Sequence, residues 1–153
     1  MQPLRFFKLL LLEEDDLRKY VKFSPQIENA KTEMKRLGKS SIEVVADYLR
    51  ELWGHAITII KEAKGEALID SVPLHVIVTV PAIWTDYARD RMRRAVELAG
   101  ICEPRLLGET KLSLISEPEA AALSVLPGLK GRPDLQVGKV PMRMKIITQL
   151  KRI

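Results

Sequence analysis

The chain is poor in the residues from which many small sites are built. It has one cysteine, Cys102, and two widely separated histidines, His55 and His75, among 153 residues. One thiol excludes an internal disulfide, and this set cannot assemble a Cys/His metal centre, so a reducing intracellular compartment, cytoplasmic by default, is expected. Aromatic residues make up 5% of the chain, too few to suggest a base-stacking surface for nucleic acid. None of the eight glycines is adjacent to another and no GxGxxG or Walker pattern occurs, so no phosphate cradle of backbone amides is visible. No apolar run approaches the length of a membrane span. Leu9 to Leu12 follows a basic stretch but is too short for a targeting core and runs into Glu13-Glu14-Asp15-Asp16; a buried strand closed by an acidic turn is expected there.

What is present is ordinary globular material, 46% apolar and 29% charged, in a length that supports one core rather than two. The net charge of +5 is not spread along the chain. Residues 1–138 are balanced, and the excess lies in Lys139, Arg143, Lys145, Lys151 and Arg152, a tail without acidic residues. Such a tail can touch an anionic surface, although a solvated or partner-covered terminus is the better account of it.

Ser24-Pro25 opens a helical stretch that Gly38 should stop near Leu37. Ser40 with Glu43 reads as a capping box for a long helix in which Ile42, Val45, Leu49, Leu52, Ala56, Ile59 and Ala63 recur at steps of three and four. Ala46, Trp53 and Ile60 widen that stripe beyond a coiled-coil seam, so the helix is expected to cover the face of a sheet. The pattern then changes to Val76-Ile77-Val78-Thr79-Val80-Pro81-Ala82, a buried strand ending in a proline turn. Trp84, Ala88, Met92, Ala95, Val96 and Ala99 follow at helical spacing. A second strand ends at Ile115-Ser116-Glu117-Pro118-Glu119. A strand, helix, strand unit of this length makes the two strands parallel neighbours. Their ends, with Pro81 and Glu117, then fall on the carboxyl-terminal edge where open α/β sheets place ligands.

On that edge Glu117 is the first candidate for chemistry: a carboxylate there can order a metal-bound water or one that attacks a phosphoryl group. Helix initiation explains its neighbours without any chemistry, with Ser116 as cap, Pro118 at the first helical position and Glu119 as capping acid. Pro81 ends a strand and aims the turn after it. Asp86 opens a helix, where a carboxylate is favourable in any case. Arg89, Arg91, Arg93 and Arg94 cannot share one helix face, so a single anion patch is not expected. His55 and His75 have no nucleophile at readable spacing.

Val78-Thr79-Val80-Pro81-Ala82, then Asp86, Arg89 and Ala99-Gly100-Ile101, then Ser116-Glu117-Pro118-Glu119-Ala120-Ala121-Ala122, together resemble the actin-like ATPase domain of the 70-kDa heat-shock protein family. Within it they look more like the divergent fungal heat-shock-like proteins with an acidic residue after Glu-Pro. The resemblance covers roughly residues 4–137. It implies an α/β fold, part of a ribonuclease-H-like lobe with the helix from Ser41 to Lys64 packed on the sheet. In intact members it implies ATP and magnesium as cofactors and unfolded or client polypeptide as partner. Glu117 matches the glutamate that approaches magnesium and phosphate and helps orient catalytic water, with no direct metal ligand assigned. Pro81 and Arg89 match an interdomain relay, and for Asp86 only a capping role is implied.

The departures are the family's two glycine-rich phosphate loops and a lysine needed for hydrolysis, none of which occurs here. The expected arrangement is therefore residues 1–138 as a piece of the nucleotide-binding domain and 139–153 as a basic tail outside the family. That makes the chain a truncated product that neither binds nor turns over ATP alone, and whose folding depends on a partner or ends in aggregation. The competing expectation is a non-enzymatic interaction module that binds a protein or an anionic surface through the long helix and the tail.

Overall fold

A six-residue run, His75–Val80, forms the central strand β1 and is buried at every position after the first. The computed structural model describes residues 5–21, 24–105, 108–125 and 145–148. Its elements are a 3-10 turn at Phe7–Leu11, α1 (Glu14–Tyr20), α2 (Pro25–Leu37), α3 (Ser41–Lys64), α4 (Glu66–Ser71), β1, α5 (Asp86–Leu98), β2 (Lys111–Ser116), α6 (Glu117–Val125) and β3 (Lys145–Thr148). The mixed α/β class and the parallel strand, helix, strand unit stand as expected. β1 and β2 pair in parallel from His75↔Lys111 to Val80↔Ser116 across α5. A strand rich in Val and Ile and buried on both faces belongs in the middle of a parallel sheet, and the order β2-β1-β3 puts it there.

Local chemistry sets the helix ends. Gly38 closes α2 at φ 62°, a conformation that costs an L-residue, and its neighbour Lys39 donates its amide back to the Met34 carbonyl at 3.1 Å. At α3 the Ser40 Oγ accepts from the Glu43 amide at 3.3 Å, while the Ser40 amide donates to Glu43 Oε2 at 2.8 Å. Both halves of the capping box are present.

Val76, Val78 and Val80 point into one core with Val45, Ala46 and Leu49 of α3, Ala88, Met92, Ala95 and Val96 of α5, and Leu10 and Leu11. Each valine, leucine or methionine among them contributes about 1.5–3 kcal/mol on burial, and each alanine less. The long helix packs on α5, α4 and the 3-10 turn and shares one core with the valines of β1. Its stripe is buried only at Val45, Ala46 and Leu49, and Ile59 is exposed.

Two expectations change. Leu9 to Leu12 is not a strand: Phe7–Leu11 is a 3-10 turn that buries Leu10 and Leu11, and Glu14, Asp15 and Asp16 form the first turn of α1. An unbroken apolar run carries no period, and the favourable place for a carboxylate cluster is a helix start. The basic tail also contributes to the sheet, since Lys145–Thr148 pairs in parallel with β1 from His75↔Lys145 to Val78↔Thr148. Residues 126–144 and 149–153, including most of that tail, lie outside the described residues.

Candidate functional site

The register of β1 against β2 fixes the geometry of the candidate edge. Val80 and Ser116 are paired neighbours, so the chain leaves the sheet at Pro81 and Glu117 side by side, with about 4.8 Å between the strands. From Pro81 the chain makes a tight turn in which the Trp84 amide donates to the Pro81 carbonyl at 3.2 Å. Trp84 is 4% exposed, and its indole N–H finds no acceptor among the described residues. At Glu117 the chain enters α6, where the Ser116 Oγ accepts from the Glu119 amide at 3.3 Å. The capping role expected of Ser116 is therefore real, with Pro118 one position further into the helix than expected.

Glu117 is not alone. Lys8 of the 3-10 turn donates to Glu117 Oε1 at 3.0 Å, with side-chain exposures of 21% for the lysine and 46% for the glutamate. No sequence spacing could have announced this contact. It depends on the turn at Phe7–Leu11 packing beside α5 and on β1 and β2 being in register.

Arg89, placed with Pro81 and Glu117 by sequence, is half-buried one turn into α5, and its Nε donates to the Trp84 carbonyl at 3.5 Å. It thus touches the turn that starts at Pro81. Arg91 faces elsewhere, donating to the Leu11 carbonyl at 2.9 Å and to Glu13 at 3.1 Å while lying over the Tyr87 ring. Arg93 and Arg94 are exposed, so the four arginines form no common patch. Asp86 is an exposed first-turn residue of α5.

At the opposite end of β1, His75 Nε2 lies 2.8 Å from the Ser113 hydroxyl. Their separation of 38 residues hid that pair from any local motif. His55 is exposed on α3. Burial raises the Cys102 thiol above its ordinary value, with Glu97 adding to the effect, which makes it a poor nucleophile.

Chemically the edge offers the carboxylates of Glu117 and Glu119 in the first turn of α6, an ammonium beside Glu117 and a proline turn. Among the described residues no three His, Cys, Asp or Glu side chains are grouped to hold a metal. The glycines with positive φ there are Gly38, Gly65, Gly100 and Gly108, and none adjoins Pro81 or Glu117 in sequence. These residues do not by themselves fit a magnesium nucleotide. No helix among the described residues is long and apolar enough to cross a membrane.

Over an aligned stretch of 119 residues covering 72% of this chain, the sequence is 32% identical to heat shock 70 kDa protein 12B of Homo sapiens. That stretch is 17% of the human protein, so the chain spans about a sixth of the curated relative it matches. No family model matches the chain, and no solved structure matches it.

Proposed function

Since the chain is a distant relative of the 70-kDa heat-shock proteins, we propose that it supplies part of the nucleotide-binding lobe of a heat-shock-like chaperone ATPase. The intact protein would bind MgATP and couple its hydrolysis to the capture of polypeptide. The observation that carries this reading is the pairing of Val80 with Ser116, which brings the two segments of the family resemblance to one edge of one sheet. Glu117 is the residue that would order water near the phosphate and metal, and Pro81 with Arg89 would relay the state of the site outward. The contact from Arg89 to the Trp84 carbonyl supports that last assignment, because it couples α5 to the proline turn.

No catalytic step is assigned to this chain alone. Positioning of phosphates and metal provides most of phosphoryl-transfer catalysis, and of that machinery this reading assigns Glu117 to the chain. Purified chain is therefore expected to show ATP hydrolysis at the buffer background.

The decisive experiment is a chimera in which the matching stretch of heat shock 70 kDa protein 12B is replaced by this chain's residues. Nucleotide affinity and turnover are then measured with and without Glu117→Ala. Binding kept in the chimera, with turnover reduced about 100-fold or more by the substitution, supports the reading. A folded chimera whose nucleotide handling ignores Glu117 overturns it.

A further inference from the structure

On its outer side β2 pairs with no strand among the described residues. It stands at the end of the order β2-β1-β3 and is half-buried from Leu112 to Ser116, where β1 is buried at every position after its first. Helix α6 does not shield it, being exposed at every residue but Ala120. The Lys111 amide donates to the Leu74 carbonyl at 2.9 Å, so by the alternation of a parallel ladder Lys111, Ser113 and Ile115 turn their backbone groups towards β1. Those of Leu112, Leu114 and Ser116 point away from it. Proteins commonly blunt such an edge with charge, proline or a bulge. From Leu112 to Ser116 there is no charged residue and no proline, and the register with β1 runs without a bulge from Lys111 to Ser116.

What this edge carries instead is complementarity to itself. A copy of β2 laid antiparallel against it, with Leu114 opposite its own counterpart on a two-fold axis, sets Leu112 opposite Ser116 and so matches all the outward-facing residues of both strands. The same register sets Ser113 opposite Ile115 and, at each end, Lys111 opposite the Glu117 of the other copy. Opposite charges across a ladder attract, and the two-fold makes this pair twice. Moving the axis to Ser113 or Ile115 leaves Ser116 or Leu112 opposite a residue outside the strand. Lys111 is exposed, and the Glu117 side chain stays 46% exposed beside Lys8, so a second cation can reach it.

We propose that the outer edge of β2 is a homodimer interface, at which a second copy of this chain pairs antiparallel about an axis at Leu114 and joins the two sheets into one. One strand from each copy makes an interface at the small end of the known range, under about 1,200 Å², so the dimer exchanges with monomer rather than persisting.

Sedimentation velocity of the full-length chain across a concentration series reads the equilibrium. Lys111→Glu places two acidic pairs across the axis and Glu117→Lys two basic ones, so each variant alone should dimerise about tenfold or more weakly. An equimolar mixture of the two should regain the wild-type affinity, because every end pair is again between opposite charges. That arm is decisive, since a defect caused by losing the Lys8 contact in Glu117→Lys is not repaired by adding the other variant. Register is read separately with Leu114→Cys in a Cys102→Ser background. Residues paired on the axis lie about 5.5 Å apart, inside the disulfide range of roughly 4.4–6.8 Å, so oxidation should give a covalent homodimer that Ser113→Cys does not give. A chain that is monomeric at every concentration overturns the proposal, as does a dimer whose two charge variants fail to rescue each other. Protection of the Leu112 and Leu114 amides from hydrogen exchange in the monomer also overturns it, because the chain's own residues would then cover the edge.

Discussion

Lys8 and Glu117, 109 residues apart in sequence, meet at 3.0 Å and join the first turn of the chain to the start of α6. The contact places an ammonium against the Glu117 carboxylate at the edge where Pro81 emerges. Both side chains keep solvent exposure, so the pair is a weak fastening and Glu117 can exchange its partner.

A double-mutant cycle with Lys8→Met and Glu117→Gln, read by urea unfolding, should give a coupling of about 0.2–1 kcal/mol, the range of exposed ion pairs. A coupling above about 3 kcal/mol would mean that the pair behaves as a buried structural bridge, and would make Glu117 a poor candidate for chemistry.

Leu49→Ala on α3 should destabilise the fold by about 2–5 kcal/mol, the cost of a truncated core leucine, because Leu49 is 1% exposed in the common core. Ile59→Ala, ten positions along the same helix and 49% exposed, should change stability by no more than about 0.5 kcal/mol. Denaturant midpoints for the two variants check whether the core ends where the structure places it.

Two glycines should respond to alanine with opposite signs. Gly54 lies inside α3 with open space where a Cβ would go, so Gly54→Ala should stabilise by roughly 0.5–1 kcal/mol through helix propensity. Gly38 also has open space but sits at φ 62°, so Gly38→Ala should destabilise by about 1 kcal/mol. Thermal melts of the two variants on either side of the wild type would bear this out.

Glu14, Asp16, Glu43 and Asp47 all titrate below their ordinary values, held down chiefly by hydrogen bonds from Lys31, Lys19, Ser40 and Lys39 respectively. Depressed carboxylates contribute stability that is present above their unfolded pKa and is lost as pH falls through the folded values. The melting temperature should therefore hold from neutrality down to the carboxylate range and then decline. Tyr87 also donates to Asp16 Oδ2 at 2.7 Å, so Tyr87→Phe should move the Asp16 titration upward, towards its ordinary range, as followed by carboxyl carbon NMR.

The parts of the fold legible in the sequence were those with local chemistry. Ser24-Pro25, Gly38 and Ser40 with Glu43 mark both ends of α2 and the start of α3 because capping and left-handed turns are decided by the residues that perform them. β1, α5 and β2 were legible because their apolar periods differ. The turn at Phe7–Leu11 was misread, since four consecutive leucines suit a buried strand and a buried 3-10 turn alike. β3 was hidden in a charge count: Ile146-Ile147-Thr148 is strand-forming in composition, but the lysines and arginines around it dominated the reading. At the candidate edge, the placement of Pro81 and Glu117 followed from the crossover rule. Lys8 did not, because a contact between side chains 109 residues apart exists only once the sheet and the turn are packed.

The strand order has a consequence for synthesis. β1 ends at Val80 and its second neighbour begins at Lys145, so a ribosome must add about 65 residues, at roughly 5–20 residues per second, between making the middle of the sheet and making its last strand. α5 and β2 are made within that interval, so about 29 residues, from Glu117 to Lys145, separate a fully synthesised β1–α5–β2 sequence from the strand that covers its other edge. That interval is when a neighbouring nascent chain, or a holdase, has its best opportunity to reach it.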